Sequence, residues 1–266
     1  IGTVLEGLMT SPVYQGAVGR SILVGPLAYA DRRVSDPMER LGEEGVSCRY
    51  SGSEHYDPEG LGVVLAPIEW AFGVRIVLGS RRYHTPGGRE GRAEVLLIDV
   101  NNPEPQRRAA FKWLLHQRFG LDSLKYEKGW DYEEWCRLAD PAYHAVSAIL
   151  SPAEFPGGLI SHEFMGVCTA LRASLDRRRF RTLFHAHECS TGRRLVEHLP
   201  GHDVSFYPAM RAGMAEGKHV AEVFGDQSDY SRHALVERTH LLDGVMAVGP
   251  ETGEGLRFLS AAMGSG

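Results

Sequence analysis

Three short polar segments each close an apolar run and carry most of the side chains suited to chemistry. Ser161-His162-Glu163 follows Leu159 and Ile160; His185-Ala186-His187-Glu188 follows Thr182 to Phe184; Pro250-Glu251-Thr252 follows Val245 to Val248. Imidazoles and carboxylates in such places hold hydroxyl groups, move protons or ligate metals. Taken singly, each segment has a plain reading. A histidine at a strand end is satisfied by its loop, and a glutamate in a first helical turn complements the positive end of the helix. Their coincidence at the ends of three apolar runs predicts one functional rim.

Metal and nucleophile chemistry are weighed at the same residues. His185, His187 and Cys189 alternate, so on a continuing strand they share one face as zinc ligands do, and His198 and His202 follow closely. Ligation at i, i+2 and i+4 of one strand is crowded, and the paired ligand spacings of common zinc sites are missing, so the expectation is a site without metal. No Gly-x-Ser-x-Gly elbow points to a serine hydrolase. No Gly-Lys-Ser or Gly-Lys-Thr closes a phosphate loop, and Gly16-Ala17-Val18-Gly19 precedes a strand, where a dinucleotide fingerprint would follow one. The basic run Arg177, Arg178, Arg179 and Arg181 follows a helical pattern whose last turn favours cations, and reads as a solvated helix end.

The elements that must position this rim are strands alternating with helices. Apolar runs at Ile22 to Leu27, Val74 to Leu78, Val95 to Val100, Leu159 to Ser161, Thr182 to Ala186 and Val245 to Val248 predict buried strands. Phe164, Val167, Cys168, Leu171 and Leu175 recur at spacings of three and four, which predicts a helix opening just after Ser161. Leu235, Thr239 and Leu242 predict another, capped by Ser228 or Asp229. The alternation predicts an α/β fold with a doubly wound, largely parallel sheet, which binds ligands at the carboxyl ends of its strands. The stretches Asp31 to Gly60 and His84 to Arg92, rich in Gly, Pro and charge, read as loops. Neither marks a domain boundary, so 1–266 is expected to be a single domain.

Composition narrows the function classes. The 266 residues can bury a full core, and 43% hydrophobic with 24% charged residues excludes a disordered chain. With 29 Lys and Arg against 34 Asp and Glu the net charge is -5, which argues against a nucleic-acid partner. Cys48, Cys136, Cys168 and Cys189 have no CxxC spacing, as in a reducing, cytoplasmic setting. The longest apolar stretch, Gly62 to Gly79, is broken by Pro67, Glu69 and Arg75, so no membrane span is expected. No secretory leader pattern opens the chain.

The order of these segments resembles the N-terminal, acceptor-side half of glycogen and starch synthases, retaining glycosyltransferases of the GT-B kind built from two Rossmann-like domains. Ile160-Ser161-His162-Glu163-Phe164-Met165-Gly166-Val167 is similar to the family's strand ending in His-Glu-Trp or His-Asp-Trp. Phe184-His185-Ala186-His187-Glu188-Cys189-Ser190-Thr191-Gly192-Arg193 is similar to Thr-Thr-His-Ala-Thr-Leu-Leu-Gly-Arg of the animal and fungal enzymes. Tyr230-Ser231-Arg232-His233, the pair Glu237-Arg238 and Val245-Met246-Ala247-Val248 follow the family's Tyr-His-Arg helix, internal Glu-Arg pair and strand. Ile1-Gly2-Thr3-Val4 looks like the end of its Gly-Gly-Ile/Leu-Gly loop, and Glu94 to Asn101 like its strand Val-Ile-Leu-Phe-Asp-Leu. About half of the 266 positions carry a recognisable pattern; 31 to 93 and 120 to 150 carry little.

The resemblance implies transfer of glucose from ADP-glucose or UDP-glucose to an α-glucan with retention, without a cofactor. His187 would hold the donor glucose and Arg193 its phosphate side as the catalytic residues. Gly2 and Thr3 would form the donor-phosphate loop, and His162, Glu163, His185 and Glu188 would serve the acceptor or support these groups. A donor-binding domain, with its diphosphate-neutralising Arg/Lys pair and Glu-x7-Glu motif, would follow residue 266, so this segment alone is expected to be inactive. Phe164 stands where the family has Trp, and His185-Ala186-His187 where it has Thr-Thr-His. A trehalose, sucrose or cell-surface glycan transferase, or a catalytically silent glycan-binding or regulatory module, are the alternatives.

Overall fold

The structure, a computed structural model, describes residues 2–27, 41, 42, 45–85 and 87–264. They form two compact units. The first takes in residues 1–108 and 140–151, the second residues 109–139 and 152–266, and two of the three divisions fall inside helices.

In the first unit, α1 (Gly2–Met9) and α2 (Pro12–Ala17) precede β1 (Ile22–Pro26). Ser11 caps α2 by accepting the Tyr14 N–H, and Pro12 occupies the first turn, where its missing N–H costs nothing. β2 (Val46–Ser51), α3 (Gly62–Phe72), β3 (Arg75–His84) and β4 (Glu90–Asp99) complete a sheet of order β1-β4-β3-β2. β1 lies parallel to β4, whereas β3 is antiparallel to both β4 and β2. The expected parallel character extends here only to the β1–β4 pair, and the sheet is mixed. His84 to Arg92, expected to be a loop, holds the ends of two long paired strands joined by a tight turn, closed by Arg89 O accepting the Thr85 N–H at 2.9 Å. β2 lies in the stretch read as a loop, and its register slips between Cys48 and Tyr50. That irregularity breaks the period-two alternation by which a strand is recognised. Positions 31–40, 43 and 44 of the same stretch lie outside the described residues.

The Gly62 to Gly79 stretch becomes α3, a left-handed cap at Gly73 (φ 62°) and the start of β3. Glu69 of α3 is buried and its carboxylate accepts the Ile76 N–H and the Tyr50 hydroxyl, each at 2.6 Å. A buried acid here is satisfied by strand and ring donors in place of water. Leu65, Ile76, Leu78, Leu96 and Ile98 are fully buried in this unit.

The second unit contains most of α4 (Pro105–Phe119) and the first half of α5 (Trp130–Ile149). β5 (Gly157–His162), α6 (Val167–Ser174), β6 (Phe180–Ala186), α7 (Ser190–His198), α8 (Asp203–Ala215), α9 (Val220–Phe224), α10 (Ser231–Glu237), β7 (Gly244–Ala247), α11 (Pro250–Leu259) and α12 (Ala261–Gly264) follow. The sheet β5-β6-β7 is parallel throughout, as the alternation of strands and helices predicts. The helix expected just after Ser161 opens later: Phe164 is buried in a 3-10 turn Phe164–Gly166, Val167, Cys168 and Leu171 are buried on α6, and Leu175, its C-cap, is half-buried. Leu235, Thr239 and Leu242 are also buried, although α10 begins at Ser231 behind Tyr230, later than the predicted caps, and passes into a 3-10 turn at Arg238. Asp243 aligns β7 with β6 by accepting the Thr182 N–H at 2.8 Å and its hydroxyl at 3.0 Å. No helix among the described residues is long and apolar enough to cross a membrane.

Candidate functional site

Along β6, Phe180, Thr182, Phe184 and Ala186 point into the core. Strand alternation therefore turns His185 to the opposite face, and the chain leaves the strand with His187 on the same side. β5 runs beside β6 in a register that pairs His162 with His185. Paired residues of neighbouring strands share a face, so the two imidazoles stand side by side. The ring centroids lie 5.3 Å apart for His162 and His185, 5.3 Å for His162 and His187, and 4.6 Å for His185 and His187. His162 Nδ1 is 3.0 Å from His187 Nε2, within hydrogen-bond distance. Each ring is half-buried.

Glu163 locks the histidines in place. It is buried, and its backbone sits at φ 57°, a conformation that L residues adopt at a cost. Its N–H donates to His185 O at 3.1 Å, and its Oε1 accepts the backbone N–H groups of His187 and of Glu188, the latter at 2.9 Å. The carboxylate thus ties the end of β5 to the β6–α7 loop. Close packing beneath it requires a glycine: a Cβ on Gly166 would fall 2.7 Å from Ser161 Oγ and 2.9 Å from Ser161 Cα. Burial pushes the Glu163 carboxyl above its ordinary range, against the pull of the two N–H donors.

The other expected residues are placed as follows. Glu188 pairs with Arg193 at 2.8 Å, and Arg193 also reaches Glu197 at 3.2 Å, one turn along α7. Its guanidinium lies on the exposed surface between these carboxylates, which hold its pKa above the ordinary value. Glu251 is exposed in the first turn of α11, where it complements the helix dipole. Gly2 and Thr3, expected in a loop, form the exposed first turn of α1 in the other unit. Cys189 departs from the histidines it was grouped with: it packs against α11, where a Cβ on Gly255 would come 3.0 Å from the Cys189 Cβ. Burial pushes its thiol up to about 11, so it remains protonated at neutral pH.

His162 takes the place in the histidine group that alternation along β6 assigned to Cys189. Among the described residues, His162, His185 and His187 form the one set of three potential ligands whose donor atoms all lie within 4.8 Å of one another. A cavity of about 400 Å³ lined by Lys125, Tyr126, His219, Gln227, His233 and Arg238 lies in the same unit and includes none of the three. His233 Nδ1 is 3.1 Å from Thr191 Oγ1. No family model matches the chain, and no curated protein matches it.

The histidines make stability depend on pH. Burial first, then the neighbouring His185 and His187, depress His162 to about 4; burial depresses His187 and His233 as well. The unfolded chain titrates its histidines near pH 6.5 and so binds more protons than the folded chain below that value. This contribution is full above about pH 6.5 and is lost as pH falls toward 4, opposed by protonation of Glu163 and Glu134, whose carboxyls burial raises. Urea melts with chelator present should show a midpoint that drops from pH 7 to pH 5, and a shallower drop for His162→Gln. Equal slopes for the two proteins would contradict the assigned burial of His162.

Proposed function

We propose that this chain acts as the acceptor-side, Rossmann-like domain of a retaining glycosyltransferase of the glycogen/starch synthase type. It would work with a donor-binding domain, ADP-glucose or UDP-glucose as donor and an α-glucan as acceptor. The observation that carries the proposal is the clustering of His162, Glu163, His185 and His187 at the carboxyl edge of the parallel sheet β5-β6-β7, the place where α/β sheets bind ligands. Glucosyl transfer needs little from side chains beyond positioning and charge, because the anomeric carbon becomes positive and the departing diphosphate negative. His187 holds glucose hydroxyls, Glu163 fixes His187 through its backbone, and His162 and His185 meet the acceptor. Arg193 supplies a fixed cation for the phosphate side. The scheme uses no cofactor besides the sugar nucleotide, no nucleic acid and no membrane, and a cytoplasmic location fits the four free thiols.

The pairing of Arg193 with Glu188 and Glu197 favours a second reading, a catalytically silent glycan-binding module. One experiment separates them. Glucose transfer from ADP-glucose and UDP-glucose to glycogen is measured for the full-length protein and for His187→Ala and Arg193→Ala. Each change should lower kcat by roughly 10²-fold, the scale for one preorganised donor, with Tm retained. Glycan binding without turnover in the parent supports the module, and near-parental kcat in both variants overturns the site assignment.

A further inference from the structure

We propose that His162, His185 and His187 bind a divalent transition metal, zinc above all, through one nitrogen each at the carboxyl edge of the β5-β6-β7 sheet. Three imidazoles with an open fourth position make a ligand set that zinc accepts. Ligation from one strand alone is crowded, and the parallel register removes that difficulty by bringing the third imidazole from β5. Zinc–nitrogen bonds of about 2.0 to 2.1 Å in a tetrahedral arrangement put ligand nitrogens roughly 3.3 Å apart. His162 Nδ1 and His187 Nε2 are already 3.0 Å apart, and all three ligating atoms lie within 4.8 Å, so side-chain rotations of a few tenths of an ångström to about 1.5 Å close the set. The proton shared by His162 and His187 moves to the far nitrogen of its own ring, a change of tautomer that leaves both rings neutral.

A second observation points to a cation. Glu163, next in sequence to His162 and bonded to the backbone of His187, has its Oε2 buried without a partner among the described residues. A buried carboxylate oxygen without a hydrogen-bond partner is costly unless a positive charge offsets it. Groups behind the ligands set the position of ligating histidines, and Glu163 does so here through the backbone of His187 and Glu188. Cys189 takes no part, being packed against α11.

Metal binding does not rest on the glycosyltransferase reading and goes beyond it. Should both hold, the metal occupies the His187 nitrogen assigned to the donor sugar, and zinc inhibits transfer. The test leaves activity aside. The 266-residue chain, stripped with chelator, is titrated with Zn²⁺ by calorimetry and with Co²⁺ by visible absorption, without sugar nucleotide. One equivalent of Zn²⁺ and the intense visible bands of low-coordinate Co²⁺ are expected. His162→Gln, His185→Gln and His187→Gln should each weaken binding about 100-fold or more, while His198→Gln, an exposed position on α7, leaves it unchanged. Circular dichroism and Tm of each variant establish that it is folded. Absence of stoichiometric binding, or binding that folded variants of all three histidines retain, overturns the site, and neither outcome bears on sugar transfer.

Discussion

Replacing Glu133 with Ala is expected to destabilise the second unit by about 3–5 kcal/mol, because it strands a buried ammonium group. Lys112 of α4 and Glu133 of α5 form an ion pair with side chains only 9% and 4% exposed, and Arg137, one turn further along α5, bonds the other carboxylate oxygen at 3.0 Å. Glu127 also pairs with the Lys112 Nζ, at 3.8 Å, but it is half-exposed and beyond hydrogen-bond distance, so it compensates only weakly for the lost partner. The pair itself need not be strongly stabilising, since burying two charges costs about as much as their attraction returns. The loss comes from breaking it on one side. Lys112→Met combined with Glu133→Leu should therefore recover most of the stability that Glu133→Ala loses. Urea denaturation of Lys112→Met, Glu133→Leu and the double variant measures the coupling. A loss below about 1 kcal/mol for Glu133→Ala would show that solvent reaches the pair.

The second large effect is expected at Glu163, where backbone strain and hydrogen bonding oppose one another. Glu163→Ala removes the acceptor of two backbone N–H groups and keeps the φ of 57°, for a cost of about 2–3 kcal/mol. Glu163→Gly loses the same acceptor but adopts the left-handed backbone freely, and should be about 1 kcal/mol more stable than the alanine variant. Glu163→Gln retains an acceptor oxygen and should be the least affected of the three. The order Gln, Gly, Ala in urea midpoint follows from these terms, and an alanine variant equal to glycine would remove strain from the account. The alanine and glycine variants should also broaden or shift the imidazole resonances of His187, because its backbone loses an anchor, while those of His233 remain in place.

Much of the scaffold is legible in the sequence because local rules suffice for it. The apolar runs that become β5, β6 and β7 are short and bounded, and the three- and four-residue spacing of Phe164, Val167, Cys168 and Leu171 admits one buried helix face. The polar residues at these strand ends are likewise visible as a chemical group, as is Glu251 as a helix-end charge. β2 is not, since its register slip hides the alternation, and the charged ends of β3 and β4 look like loop because the pairing of Arg81, Arg82 and Tyr83 with Ala93, Arg92 and Gly91 leaves charge on a paired strand.

At the site itself, sequence spacing determined that His185 and His187 share a face, for side chains two apart along an extended chain project the same way. It placed Cys189 with them by the same rule. Only the tertiary structure decided that the chain turns into α7 before that rule reaches Cys189, that burial against Gly255 keeps the thiol away, and that His162 fills the third position. His162 and His187 are 25 residues apart, and their meeting depends on the register between two parallel strands joined through a helix. Register is a property of how side chains of both strands and the crossing helix pack together, so no local pattern in either segment encodes it.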